Sequence, residues 1–303
     1  MSSFQHFLIT RINIDWNISK PRSQQERNNI NFLKYRLDIF EKTCYPSVKA
    51  QTEKKFTWLI LLDAELPSIF RERIQSYRSH SNIEILPVYI SNKENCLSEL
   101  KAAISEKISE TTTHIITTNL DSDDAVSRKF ISTIQNQFRE QDSEFINFPF
   151  GYLYQLKEQK AFLREWLTAP CYTLIEDHKN FETVLKYGHD QISNYRVYHV
   201  FTTPMWLMTA HNMNVRTKFD VAAAWQPTNR VSEEFCINLE LPKKRLLEGS
   251  KEFFTESLNV VLSRRSWDTP KVKFRKIVNI FSPFLIRLAR RAQYSQKNQS
   301  LSS

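Results

Sequence analysis

Short apolar runs alternate with stretches of helical period along the first half of the chain. Residues 4–12, 57–62, 84–90 and 114–120 read as strands. Between the first two, Phe32, Tyr35, Arg36, Ile39 and Phe40 recur at helical spacing, and Leu97, Leu100, Ala103 and Ile104 mark another helix before the fourth strand. Strands alternating with helices predict βαβ units, hence an α/β fold with crossover helices. After Asp124, the positions of Val126, Phe130, Ile131, Ile134 and Phe138 predict a further helix. A strand at 144–149 and a less regular, aromatic-rich region to about 210 follow, then helical stretches near 232–240 and 251–264. No Pro/Gly/Ser-rich linker before Ser266 argues for separate domains.

From Lys271 the pattern changes. Ile277, Ile280, Phe281, Phe284, Leu285 and Leu288 form one apolar stripe, flanked by Lys271, Lys273, Arg275, Lys276, Arg287, Arg290 and Arg291. Pro283 predicts a kink in this basic amphipathic element, because it lacks the N–H and crowds the preceding turn. The Ser/Gln/Asn-rich tail from Gln293 predicts disorder. The expected organisation is one domain over 1–267, with halves of about 1–125 and 126–267, and an extension with a disordered tail over 268–303.

Composition narrows the chemistry. A chain of 303 residues, 41% of them hydrophobic, can bury one sizeable core. Its 42 Lys and Arg against 33 Asp and Glu give a net charge of +9, which favours polyanions, anionic lipid or phosphorylated ligands. Cys44, Cys96, Cys171 and Cys236 stand singly, which predicts reduced thiols and no zinc or redox motif. The three glycines, Gly151, Gly188 and Gly249, form no cluster, so dinucleotide-binding and P-loop folds are excluded. A Gly-x-Ser-x-Gly elbow and a His-Glu-x-x-His helix are also missing. The start has no basic segment leading into a long apolar run, so no signal peptide is expected, and no stretch reaches the roughly 18 to 20 apolar residues that span a bilayer.

The sharpest local signal is His114-Ile-Ile-Thr-Thr-Asn-Leu-Asp-Ser-Asp-Asp124, an apolar strand that delivers Asp121, Asp123 and Asp124 onto a loop at its carboxyl end. Ligands of open α/β sheets bind at that edge. Like charges this close repel by up to about 4 kcal/mol per pair at an effective dielectric near 20, so a hard cation, Mg²⁺ or Mn²⁺, is their natural partner. Such an ion can bridge the phosphates of a nucleotide diphosphate and offset the charge that develops as it leaves. A plainer reading has Ser122 or Asp123 capping a helix that starts near Asp124.

Four blocks in this order, Phe7-Leu-Ile-Thr-Arg-Ile-Asn13, Pro46-Ser-Val-Lys-Ala-Gln51 running into Phe56-Thr-Trp-Leu-Ile-Leu-Leu-Asp63, Leu120-Asp-Ser-Asp-Asp124, and Trp206-Leu-Met-Thr-Ala-His-Asn-Met-Asn214, carry a resemblance across most of residues 4–265. The chain resembles the bacterial "putative rhamnosyltransferase" family, a branch of the GT-A-like glycosyltransferases. The resemblance implies a Rossmann-like mixed sheet flanked by helices, here with a basic C-terminal helical extension. Its first half would bind the nucleotide and its second the acceptor. It also implies donor contacts from Thr10 and Arg11, a base or ribose contact from Asp63, and sugar and metal roles for Asp121 and Asp123, with Asp124 beside them on the nucleotide sugar. In GT-A enzymes a late His completes the metal shell or touches the diphosphate, which falls to His211, with Asn214 three residues on. The chain departs from the family at Asn119, where Arg often precedes the Leu-Asp pair, and at Asn212, where Gly often follows the His.

An inverting transfer needs a base for the acceptor hydroxyl. Asp190, on the Gly188-opened loop, is the first candidate, with Glu176 and Asp177 behind it. The expected activity is a metal-dependent transfer from a nucleotide-diphosphate sugar to a glycan or lipid-linked glycan in surface polysaccharide synthesis. The expected place is the cytoplasm, with peripheral attachment to the anionic inner face of the membrane open to it through the basic stripe. Two rivals are a haloacid-dehalogenase-type phosphatase, with the first Asp as nucleophile, and a basic nucleic-acid-binding protein. The phosphatase would carry its acids early and follow them with Thr or Val, whereas Asp124-Ala125 follow three earlier strands here. The nucleic-acid reading lacks any RNP, KH or zinc-finger pattern, so no nucleic-acid partner is expected. A non-catalytic membrane scaffold is a third reading, distinguished by a lack of stabilisation by nucleotides.

Overall fold

The computed structural model describes residues 3–16, 21–92, 94–211, 224–226, 228–238, 246–262 and 269–299. Four parallel strands, β1 (Phe4–Arg11), β2 (Thr57–Asp63), β3 (Glu84–Ile90) and β4 (His114–Asn119), form the centre in the order β3-β2-β1-β4. Their apolar runs are nearly continuous because both faces are covered. Leu8, Trp58, Ile60, Leu62 and Ile116 point to one side, against α2 (Ile30–Lys42), α3 (Cys44–Lys49) and α4 (Ser68–Ser79), while Phe7, Ile9, Leu59, Leu61 and Ile115 point to the other, against α5 (Cys96–Ser105). The short α1 (Gln24–Arg27) precedes α2; in its capping box Ser23 and Glu26 satisfy each other's backbone N–H.

Beyond β4 the chain makes β5 (Ala125–Val126), α6 (Phe130–Gln135), β6 (Glu144–Asn147), β7 (Phe150–Gln155), β8 (Lys160–Glu165), β9 (Thr173–Asp177), β10 (Arg196–His199), β11 (Trp206–Ala210) and β12 (Ala224–Gln226). β9 runs antiparallel between β4 and β6, so the first sheet reads β10-β6-β9-β4-β1-β2-β3. The second sheet, β12-β8-β7-β11-β5, begins where the Asp loop ends. This is the Rossmann-like mixed sheet flanked by helices that the resemblance implies.

Two expectations for this half are corrected. No helix starts at Asp124: Ala125 and Val126 pair with Leu207 and Trp206 of β11, and the helix begins only at Phe130. Sheet pairing of two fully buried residues outweighs the helical spacing there. The region expected to be irregular holds β7 to β11, short aromatic strands whose period is broken by close packing. At one such contact Gly151 faces Trp206, where an added Cβ would lie 2.0 Å from the indole. Trp206 is fully buried and donates its Nε1–H to the Phe148 carbonyl at 2.7 Å, so it packs the core.

The C-terminal helices are α7 (Thr228–Phe235), α8 (Leu246–Leu262), α9 (Pro270–Phe281) and α10 (Pro283–Gln299). α7 and α8 start earlier than their apolar periods predict. Residues 239–240 and 263–264 of the expected helices lie outside the described residues, as do Asn212 and Asn214. Pro283 separates α9 from α10 and opens the second helix at its first position, where the missing N–H has no helical partner to lose. α10 continues to Gln299 through the tail expected to be disordered. Cys44, Cys96, Cys171 and Cys236 are free thiols.

Candidate active site

Parallel pairing of β1 with β2 and β4 sets their carboxyl ends side by side, and the candidate residues converge there. The chain leaves β4 through Leu120, whose N–H donates to the Ile9 carbonyl at 2.9 Å, and turns at Asp121, whose carbonyl accepts the Asp124 N–H at 3.1 Å. Thr209 of β11 then staples the loop to the second sheet. Its N–H donates to Asp124 Oδ1 at 3.0 Å and its hydroxyl to the Asp123 carbonyl at 2.7 Å. Asp124 is buried by this contact, and burial, followed by the charges of Asp123 and Asp121, pushes its carboxyl well above the usual carboxylate range. Its side chain ties the loop to β11. The capping alternative fails, because no helix begins there.

The other two acids face cations. Asp121 Oδ1 accepts from Arg11 Nη2 at 2.7 Å, and Arg11 also donates to the Trp16 carbonyl at 3.0 Å. Asp123 Oδ2 lies 3.0 Å from His211 Nε2 and 3.5 Å from Arg36 Nη1. Burial pushes the Asp123 carboxyl up, but Arg36 and His211 together outweigh it and hold the group below its ordinary value. The Tyr35 hydroxyl sits 3.1 Å from His211 Nδ1 and fixes the orientation of the ring. Tyr35 and Arg36 come from α2, aimed at the cleft by an Asn29 cap whose side chain accepts the N–H groups of Asn31 and Phe32. Helical spacing places both on one helix with Phe32, Ile39 and Phe40 and does not single them out for the site. The available signal was the guanidinium: a charge on an apolar face needs a partner.

Thr10 and Asp63 have settled surroundings of their own. Thr10 is fully buried, and its hydroxyl accepts the Trp58 indole N–H at 3.0 Å, so its side chain belongs to the core beneath the cleft. Asp63 accepts from Arg27 at 3.0 Å, from Gln24 at 3.1 Å and from the Glu65 N–H at 2.8 Å, while Asn13 Oδ1 holds the Asp63 N–H at 2.9 Å. Asp63 therefore ties α1 to the end of β2. Arg27, Gln24 and Asn13 were not visible from the sequence as members of this network, because their partners lie tens of residues away.

On the acceptor side, Asp190 is exposed on a turn closed by the Gln191 N–H donating to the Gly188 carbonyl at 2.9 Å. Tyr172 links this turn to the cleft. Burial raises its hydroxyl pKa most, and it also feels Arg11, Asp121 and Asp190. Next to Asp190, the His189 ring meets Trp166 edge-on at 5.3 Å, and Arg164 stacks on Trp166 at 4.2 Å. The two alternatives lie elsewhere. Glu176 and Asp177 pair with Ile115 and His114 at the start of β4, the end of the strand away from the Asp loop. Glu176 accepts the N–H groups of Glu182 and Thr183, and burial pushes it up to about 7.

The resemblance implies a divalent ion, and Asp123 and His211 are the residues here that could hold one. A carboxylate oxygen and an imidazole nitrogen converge at 3.0 Å, and the imidazole's second nitrogen is held by a hydroxyl, the outer contact that orients metal-bound histidines. Among the described residues no third His, Cys, Asp or Glu completes a protein cage. Mg²⁺ and Mn²⁺ sites commonly use one or two protein donors together with substrate phosphates and water.

The sequence profile of the family described as "Putative rhamnosyl transferase" matches residues 22–223. No curated protein sequence matches the chain. Among solved structures, it is similar to Staphylococcus aureus TarS 1-349 in complex with UDP, at 11% identity and a TM-score of 0.38, over 97% of this chain and 73% of that one. It is also similar to a "putative nucleotide-diphospho-sugar transferase" from Desulfovibrio desulfuricans G20, at 6% identity and a TM-score of 0.37, over 70% of this chain and 83% of that one.

Proposed function

Because the chain belongs to the family described as "Putative rhamnosyl transferase", we propose that it moves rhamnose or a related sugar from a nucleotide diphosphate to a hydroxyl of a glycan or lipid-linked glycan, in surface polysaccharide synthesis. The observation that carries the reading is the cluster of Asp121, Asp123, His211, Arg11 and Arg36 at the carboxyl edge of the parallel strands. Asp123 and His211 would hold Mg²⁺ or Mn²⁺, which when bound supplies Lewis-acid stabilisation to a departing diphosphate. Arg11 and Arg36 bring two permanent cations to the same loop. They offset its acids in the free protein and can turn to phosphate oxygens when the donor enters.

Asp121 is the more exposed member of its pair with Arg11, which supports a role for it toward the donor sugar. Asp190 takes the proton of the acceptor hydroxyl as that oxygen attacks the anomeric carbon, with inversion, from the face opposite the leaving diphosphate. Its support is the shared electrostatic surroundings of Asp190, Arg11 and Asp121 around Tyr172. The phosphatase alternative is not favoured, since the family profile matched by the chain is that of a transferase.

Thermal unfolding against a panel of nucleotide diphosphates, with and without Mn²⁺, tests the reading. A rise with one nucleotide that needs the ion and disappears in Asp123→Ala is expected, because a ligand that binds only the folded state stabilises it. No shift with any nucleotide at millimolar concentration would remove the donor site.

A further inference from the structure

The 30 residues of α9 and α10, with Ser282 between them, carry eight Lys or Arg and no Asp or Glu, while the whole chain has a net charge of only +9. Nearly all of the protein's excess charge is therefore concentrated in two adjacent helices. One side of this pair is committed to the body. Glu165 of β8 receives Arg290 at 2.6 Å and Arg275 at 3.6 Å, Ile280 is buried with Tyr152 and Phe235, and the Tyr294 ring lies 5.3 Å from His199 and 5.2 Å from Phe201.

The other side carries large apolar residues into solvent. On α9, Phe274 is 68% exposed; on α10, Phe284 is 59%, Leu285 55% and Leu288 46% exposed. Leu258 and Leu262 extend the apolar surface along α8, which meets α9 through Phe253 and Phe281, 6.2 Å apart. Lys271 and Arg291 are exposed on the same two helices, with Lys273 and Arg287 half-buried. α8 carries Glu248, Glu252 and Glu256, but α9 and α10 present an apolar stripe bordered by cations and free of acids, which is the chemistry of an anionic bilayer surface: acyl chains accept the phenylalanines and leucines while lipid phosphates accept the basic rim. Among the described residues no helix is long and apolar enough to cross a membrane, so the helices would lie in the plane of the interface.

We propose that the solvent-facing side of α9 and α10 is a docking surface for an anionic lipid leaflet. The docking is independent of the transferase reading, since it uses none of the cleft residues and can be measured without substrate.

Vesicle flotation of the full chain tests it. Binding is expected to vesicles of phosphatidylcholine with about one third phosphatidylglycerol, and not to phosphatidylcholine alone; it should fall at least about tenfold as salt screens the rim. Lys271→Glu with Arg291→Glu should weaken binding by about a hundredfold, and Phe284→Ser with Leu288→Ser should abolish it, both with unchanged circular dichroism. Equal binding to both vesicle types, salt-insensitive binding or no binding overturns the proposal. So does a concentration-dependent dimer that Phe284→Ser with Leu288→Ser dissolves while leaving vesicle binding intact, since the face would then serve a second copy of the chain.

Discussion

Arg36 and Asp123 should be energetically coupled, and a double-mutant cycle measures by how much. Arg36 Nη1 lies 3.5 Å from Asp123 Oδ2, with side-chain exposures of 20% and 11%. At an effective dielectric near 20 the attraction is about 5 kcal/mol, and desolvation of both groups offsets much of it. Arg36→Met leaves the buried Asp123 carboxylate without its guanidinium partner, so it should destabilise the protein by about 3 kcal/mol. In Asp123→Asn the same replacement should cost only about 1 kcal/mol, the packing of the aliphatic stem. The coupling energy expected from urea unfolding of the four proteins is therefore about 2 kcal/mol. The single variant should also melt roughly 6 °C lower. A coupling below about 0.5 kcal/mol would refute the reasoning, because it would mean that solvent screens the pair and that Arg36 does not compensate the loop.

Burial pushes the His6 imidazole down to about 3, against 6.5 in an unfolded chain. Between those values the unfolded chain binds the extra proton, so this contribution is complete above about pH 6.5 and is lost as pH falls toward 3. His6→Phe should remove about 3 kcal/mol of the stability difference between pH 7 and pH 4, read by urea unfolding at each pH. Gly151→Ala drives a methyl into a fixed indole and should lower stability by about 3 kcal/mol or more in the same assay. Tyr35→Phe removes the hydroxyl that orients His211 and should weaken Mn²⁺ binding in the presence of a nucleotide diphosphate by about tenfold, measured by calorimetry, with an unchanged melting profile in the absence of the ion.

The sequence by itself determined the elements whose signal is local. Runs such as Trp58-Leu-Ile-Leu-Leu62, too short for a helix of their own, read as strands buried on both faces, and the order of strands and helices from β1 to β4 followed from their alternation. The Asp loop was legible because a buried strand ending in three acids is unusual on one short segment. Its position at the carboxyl edge follows from parallel pairing alone.

Tertiary structure decided what each acid does. Asp121, Asp123 and Asp124 are near-equivalents in the sequence, yet the fold gives one to Arg11, one to Arg36 and His211, and one to the Thr209 backbone. Those partners lie 85 to 110 residues away in the chain. Separation along the chain also hid Arg27 on Asp63, 36 residues apart, and Glu165 under the C-terminal helices, 125 residues from Arg290, and the pairing of β5 with β11 cancelled the helix that local spacing predicts after Asp124. Periodicity reports which face of an element is apolar. The charge that a polar side chain meets is set by which elements pack together, and that depends on contacts between segments far apart in the chain.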